Sequence, residues 1–385
     1  MRIDRIRITD FRNIASLELA LCPGANVIYG DNGQGKTNFI EAVWMCTGAK
    51  SFRGAKDAQL VRFGAPQAAV EAGFYAAGRE QKALLTIEKR RAAALNEVPL
   101  KSAAELAGQF CAVVFSPAHL TLVKNGPQEK RRFIDTSICQ IKPKYIHVLN
   151  QYTRVLDQRN RLLKDIMYET SLFDTLDIWD ARLAAYGAVV IKTRATFLER
   201  LAPCAQEIYG GLAGGREKFG ARYAPSLAVD PGASMSEIEQ RALEDLRVHR
   251  GEDIRTRMTG AGPHRDDIDL TLDGQSARAF GSQGQQRSCV LALKLAECEL
   301  IRETLGEYPV VLLDDVMSEL DAARRDYLLN HLQGRQIIMT SCDGSDFKGL
   351  SSGVSVRIED GRAAASSSAV CEGAESARAF NITKS

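Results

Sequence analysis

An α/β fold assembled from both ends of the chain, with a helical insert between them, follows from three features of the sequence. Short apolar runs of period two occur near both ends. A glycine-rich loop lies between one such run and a helical segment. From about residue 130 the apolar period changes to three and four.

Ile6 and Ile8 alternate with Arg7 and Thr9, and Leu17, Leu19 and Leu21 with Glu18 and Ala20, the pattern of half-buried strands. Ala25 to Tyr29 is an apolar run that enters the glycine-rich turn, and a helix is expected from about Lys36 to Thr47. Val70 to Tyr75, Leu84 to Glu88 and Ala112 to Phe115 are further strand candidates, the last ended by Ser116-Pro117. Tyr145, Leu149, Tyr152, Leu156 and Leu163 then define one amphipathic helix, and Trp179, Leu183, Tyr186, Val190, Phe197 and Leu201 a second. The polar stretch Glu169 to Thr175 would reverse the chain, giving an antiparallel pair. Helices of about 25–30 residues would make an arm roughly 40 Å long. Gly210-Gly211 and Gly214-Gly215 are expected to end the second helix. A loop over 225–236 and a helix over 237–250 follow. Asp267 to Leu272 reads as a strand and about Gln285 to Leu305 as a helix. Val310 to Leu313 suits a strand buried on both faces, and 337–340 and 354–358 read as two more strands. The expected division is a head from 1–118 and 255–364, a helical arm over 119–254, and a disordered Ala/Ser-rich tail over 365–385.

The chain has 385 residues, 45% hydrophobic and 25% charged, which excludes a disordered chain or a disulfide mini-protein. Lys+Arg (50) nearly balance Asp+Glu (48), so the net charge of +2 says nothing about polyanionic partners. The nine cysteines are odd in number and show no C-x-x-C spacing, which argues against a zinc site and for a reducing compartment. No signal peptide or membrane-spanning run is visible.

Gly30-Asp31-Asn32-Gly33-Gln34-Gly35-Lys36-Thr37 matches the P-loop pattern G-x-x-x-x-G-K-[ST], with a strand before it and a helix after it. Such a loop turns backbone N–H groups toward phosphates and adds the positive end of a helix dipole. Lys36 would reach the β- and γ-phosphates and the Thr37 hydroxyl would ligate Mg²⁺. Val310 to Leu313 followed by Asp314-Asp315 puts two carboxylates at the end of a buried strand. Asp314 would belong to the Mg²⁺ shell, and Asp315 would polarise the attacking water. Gly281-Ser282-Gln283-Gly284-Gln285 opens a helix, a second anion site that contact with the γ-phosphate on another subunit would explain.

A P-loop, then Ser-x-Gly-Gln, then an apolar strand with an acid pair, then Ser318-Glu-Leu-Asp321, is the order found in ABC-type ATPases. The separation of about 245 residues between P-loop and signature fits an SMC-like head with an inserted arm. The sequence closely resembles the RecF family of bacterial DNA-repair ATPases. The resemblance rests on Asp10-Phe-Arg-Asn13, Gly30 to Glu41, Ser51-Phe-Arg53, Arg131-Arg-Phe-Ile-Asp135, Gly262-Pro-His-Arg-Asp-Asp267, Gly281 to Arg287 and Asp314 to Asp321, and runs to about residue 343. It implies an ABC-type ATPase head that binds ATP with Mg²⁺ and dimerises when ATP is bound. In that dimer Ser282, Gly284 and Gln285 of one subunit would meet the ATP of the other, with the Asp321 loop across the interface. Arg12 and Asn13 would lie near the nucleotide. The resemblance also implies binding of double-stranded and gapped DNA, work with RecO and RecR in loading RecA, and a cytoplasmic, nucleoid-associated location in bacteria. Asp315 stands where the wider ABC pattern has Glu, so slow, timer-like hydrolysis is expected. After strand 337–340, Thr340 and Ser341 stand where transporters carry a switch histidine.

Ten basic residues against five acidic ones lie between Leu120 and Thr170, and Lys50, Arg53 and Lys56 form a second cluster. Both could track a duplex backbone. His264 and Arg265 read equally as nucleotide sensors or as a core hydrogen-bonding pair. Two other readings compete with the ATP-gated DNA clamp. A transporter ATPase is opposed by the insert and the missing histidine. An SMC-like head serving a nuclease or another protein partner would, for the nuclease, need an added acidic metal-binding domain, for which the residues after Asp321 leave no room.

Overall fold

A computed structural model of the chain describes residues 1–166, 168–342 and 353–363. The predicted tail over 365–385 lies outside the described residues.

Two six-stranded sheets form the head. One is antiparallel and carries, in spatial order, Ile14–Ala20, Arg2–Phe11, Ala68–Ala76, Arg79–Ile87, Arg91–Leu95 and Val98–Pro99. The other is mostly parallel, in the order Arg362–Ala363, Gly353–Glu359, Ala25–Tyr29, Ile337–Ser341, Val310–Leu313 and Ala112–Phe115. The strand that feeds the P-loop is thus flanked by strands more than 300 residues later, Ile338 pairing with Asn26 and Val354 with the same residue on the other side.

Period two explains the layering. Val310 and Leu312 point into a core shared with the P-loop helix Lys36–Met45 and the antiparallel sheet, while Val311 and Leu313 point into a second core beneath. A strand buried on both faces has no polar face to show, hence the unbroken apolar run.

The lower core continues without a break into the helical insert. It takes in Pro127–Ile141, Tyr145–Asp165, the long helix Leu176–Ala213 and Met235–Val248, together with the signature helix Gln283–Leu305. The long helix differs from expectation. It runs 38 residues, straight through Gly210-Gly211, and ends where Gly214 adopts φ +64. Gly211 is not a stop signal; a side chain there would collide with the ring of Tyr327. Phe219–Ala224, which lacks a clear alternating pattern, pairs antiparallel with Asp267–Leu272 and ties the insert's end to the segment before the signature.

Arg159 is fully buried in the insert, where it bonds Asp180 at 2.6 Å and Asp253 at 2.7 Å. Among the described residues no helix is long and apolar enough to cross a membrane.

Candidate active site

The P-loop leaves the central parallel strand at Gly30 and enters its helix at Lys36. Gly30, Gly33 and Gly35 have φ of +146, +82 and +105, a region that side chains disfavour. A Cβ on Gly30 would press into the carbonyl oxygen of Ile358, and one on Gly35 would lie 2.9 Å from Asn13 Oδ1. Gly33 has open space around it. The loop therefore presents backbone at its mouth, as an anion cradle requires. The Lys36 ammonium donates back to the carbonyls of Gly30 and Asp31, the latter at 2.9 Å.

Thr37 Oγ1 donates to Asp314 Oδ1 at 2.8 Å, joining the P-loop helix to the end of strand Val310–Leu313. Burial raises the Asp314 pKa, against the hydrogen bonds from Thr37 and Thr340, and the neighbouring Asp315 charge raises it further. A hydroxyl and one buried carboxylate are hard oxygen donors of the kind Mg²⁺ takes alongside phosphate, so the residues fit that ion. Among the described residues no cluster of three or more His, Cys, Asp or Glu side chains offers another metal site.

Asp315 is exposed and holds φ +52. Its N–H donates to Thr340 Oγ1 at 2.8 Å, and Ser318 Oγ donates to its carbonyl at 2.9 Å. Thr340 Oγ1 also donates to Asp314 Oδ1 at 3.2 Å. The residue beside the vacant histidine position thus bridges both acids, a link that strand-end position alone did not reveal.

Arg12 and Asn13 reach the P-loop by different routes. Arg12 lies on Glu41 of the P-loop helix, its Nε 3.0 Å from Oε2. Asn13 Nδ2 donates to the Gly33 carbonyl at 2.9 Å and its Oδ1 accepts from Asn38 at 2.8 Å. Arg53 Nη1 in turn donates to Asn38 Oδ1 at 2.9 Å. Glu41 is fully buried and also accepts from Ser51. Gln34 is held by the hairpin after Glu359, its carbonyl accepting from Gly361 N at 3.2 Å. Asp31 and Asn32 complete the loop, with Cys342 Sγ donating to Asn32 Oδ1 at 3.3 Å. Asn38 and Glu41 fall within the Gly30 to Glu41 segment of the resemblance but have no role assigned there, and the hairpin is unmarked, because nothing in their spacing shows these contacts.

The signature opens its helix as a capping box. Ser282 Oγ accepts from Gln285 N at 3.3 Å, and Gln285 Oε1 accepts from Ser282 N at 2.6 Å. Gly284 lies against Arg324, which donates to Ser288 Oγ at 2.8 Å and pairs with Asp321. Asp321 caps the helix Ala322–His331, accepting from Arg324 N at 2.9 Å, and that bond holds its carboxyl below the usual range. Among the described residues no hydrogen bond or ion pair joins Ser282, Gly284 or Gln285 to the P-loop of the same chain.

The basic clusters are sorted by burial. Phe52 lies against His119, with ring centroids 6.1 Å apart, and Arg132 donates to the Ser51 carbonyl, so Lys50, Arg53 and Lys56 adjoin the helix bearing Arg132. Lys124, Lys142, Lys144, Arg154, Arg161 and Lys164 are exposed. Arg159, and Lys130 with its ammonium 2.6 Å from Asp267, are buried and paired, and so are withdrawn from the surface set. His264 is half-buried and hydrogen-bonded between Tyr152 Oη (2.7 Å) and the Thr259 carbonyl (3.0 Å), whereas Arg265 is exposed.

A family model for the RecF/RecN/SMC N-terminal domain matches residues 2–364. The chain belongs to this family. Its fold is the ABC-type ATPase head of RecF and SMC proteins. The DNA replication and repair protein RecF of Acetivibrio thermocellus is 40% identical over 366 residues, covering 94% of this chain and 99% of the relative. RecF of Clostridioides difficile is 38% identical over 349 residues, covering 90% and 93%. A solved structure of the recombination mediator protein RecF with ATPrS, from the RecFOR pathway, superposes with a TM-score of 0.88 at 36% identity, covering 94% of this chain and 97% of that one. A structure of RecF with ATP gives 0.85, also at 36% identity, covering 94% and 98%. The Smc head of Pyrococcus furiosus, 17% identical with a TM-score of 0.50 and 94% of each chain covered, shares the fold alone.

Proposed function

We propose that this chain is an ATP-dependent DNA-binding protein of recombinational repair and replication-fork maintenance. Two copies close on duplex or gapped DNA when ATP is bound, and slow hydrolysis resets them. The observation that carries this reading is the Thr37–Asp314 hydrogen bond, which assembles P-loop and acid pair within one chain while the signature of that chain stays outside.

In this reading the loop Gly30 to Gly35 binds the phosphates through backbone N–H groups, and Lys36 turns from its two carbonyls to the β- and γ-phosphates. Thr37 and Asp314 hold Mg²⁺, which would neutralise charge on the phosphate oxygens. Asp315 accepts the proton of the attacking water, and its short side chain keeps turnover low. Arg12 and Asn13 brace the loop. Ser282 and Gly284 of a second copy supply donors to the γ-phosphate, and the Asp321 loop lines the contact. Lys50, Arg53, Lys56 and Arg132, with the exposed lysines and arginines of the insert, follow the DNA backbone, which makes affinity fall with salt. RecR, with RecO, is the partner through which RecA is loaded, in the bacterial cytoplasm.

Anisotropy of a labelled gapped duplex, titrated with and without ATP, tests the coupling. ATP should tighten binding by wild type, and Lys36→Arg and Ser282→Arg should each abolish that gain. An affinity indifferent to ATP would turn the head toward a protein partner instead.

A further inference from the structure

One acid outside every motif touches the signature. Glu217 lies three residues beyond the Gly214 cap of the long helix, just before strand Phe219–Ala224. Its Oε1 accepts from Gln285 Nε2 at 2.6 Å, and its Oε2 accepts from Tyr209 Oη at 2.6 Å. Tyr209 is itself buried, stacks on Phe219 with centroids 5.5 Å apart, and precedes the helix end by four residues. Tyr327, from the helix that Asp321 caps, donates to the Ile208 carbonyl at 3.1 Å. The end of the long helix is therefore fastened to the signature on one side and to the Asp321 helix on the other.

The chemistry of the contact has a direction. A carboxylate only accepts, so it selects the NH₂ end of the Gln285 amide. The amide oxygen is then committed to the Ser282 N–H, at 2.6 Å. Ser282 Oγ is committed as an acceptor from Gln285 N, which leaves its hydroxyl proton to donate away from the helix. The N–H groups of Gln283 and Gly284, in the first turn, have no partner within the helix. With the capping box held in this sense by Glu217, the Ser282 hydroxyl proton and the N–H groups of Gln283 and Gly284 are the donors left for a ligand at the signature. Reversing the Gln285 amide would set its NH₂ against the Ser282 N–H and break the capping box.

We infer that Glu217, held by Tyr209, is a positioning residue for the signature: it fixes the Gln285 amide so that Ser282 and the first-turn N–H groups face a phosphate on a second copy of this chain. The inference rests on the dimeric reading above. It also makes the end of the long helix the part of the insert that sets signature geometry.

The test compares ATP-dependent dimerisation with ATP binding in the full-length chain. An Asp315→Asn background slows hydrolysis, sedimentation with ATP and Mg²⁺ reads dimer affinity, and a fluorescent ATP analogue at protein concentrations below dimerisation reads nucleotide affinity. Glu217→Ala should weaken the dimer by tenfold or more and change monomer nucleotide affinity by less than twofold. Glu217→Gln, whose amide oxygen still accepts from Gln285, should restore most of the loss. Tyr209→Phe should show a smaller defect of the same kind and carries the test if Glu217→Ala fails to fold. Dimerisation of both variants equal to the background protein overturns the inference, as does a parallel loss of nucleotide affinity. A background protein that binds ATP without dimerising overturns the dimeric reading itself and the inference with it.

Discussion

Replacing Thr340 by Val probes the bridge between the two acids with almost no change in volume. Thr340 is buried, donates to Asp314 Oδ1 at 3.2 Å and accepts from Asp315 N at 2.8 Å. Loss of a hydrogen bond to a charged group costs about 1.5–3 kcal/mol. The Asp315 N–H also loses its acceptor, but Asp315 is exposed and water reaches it, so only the low end, about 1 kcal/mol, applies there. The expected destabilisation is therefore about 2.5–4 kcal/mol. Thr340→Ser keeps both bonds and deletes one methyl group, a cost of about 1 kcal/mol. Urea unfolding at pH 7.5 measures both differences, and turnover of ATP by the same samples should fall more for Val than for Ser. Equal losses for the two variants, or a Val variant within about 1 kcal/mol of wild type on that scale, would refute the claim that the hydroxyl holds the acid pair.

Arg159→Met should destabilise the protein by about 3–5 kcal/mol by urea unfolding, because Asp253 is left buried without a cation. Asp180→Asn should cost less, because Arg159 keeps Asp253 at 2.7 Å and Arg250 keeps Asp177 at 2.5 Å. Gly30→Ala should abolish retention on an ATP-agarose column, since its Cβ meets the Ile358 carbonyl, whereas Gly33→Ala meets nothing and should cost only the strain of φ +82, about 1 kcal/mol or roughly a fivefold loss of affinity at most. Burial holds the pKa of His264 and His119 below the ordinary 6.5. The unfolded chain then takes up protons that the folded chain refuses, so stability is full above 6.5 and falls as pH drops below it. Urea midpoints at pH 7.5 and 5.5 should differ in that sense, and His264→Gln should reduce the difference.

The candidate nucleotide site was legible as a motif because the chemistry proposed for it demands particular residues at fixed spacing. Glycine at Gly30 and Gly35, lysine at Lys36 and a carboxylate after a doubly buried strand leave little freedom. The strand that ends at the acid pair was legible too, since Val310 to Leu313 has no polar face to disguise it. The insert was harder. Gly210-Gly211 reads as a helix stop from local propensity, and only the ring of Tyr327, over 100 residues later, gives Gly211 its reason. Arg159 reads as a surface base until Asp180 and Asp253 are brought to it from two other helices. Glu217 carries no signal at all, and Glu41 none beyond its place in the Gly30 to Glu41 match, because their roles exist only once distant segments meet.

The strand order of the parallel sheet bears on how the molecule is made. Ala25–Tyr29 has neighbours at Ile337–Ser341 and Gly353–Glu359, so neither edge of the P-loop strand can be paired until nearly all of the chain has left the ribosome. At translation rates of roughly 5–20 residues per second, the interval between Tyr29 and Ile337 lasts on the order of 15–60 s. During it the antiparallel sheet, all of whose strands lie before Leu100, has every partner it needs. The nascent protein should therefore display a folded antiparallel lobe first. Nucleotide binding should arrive late and all at once, when the last strands slot in on either side of the first.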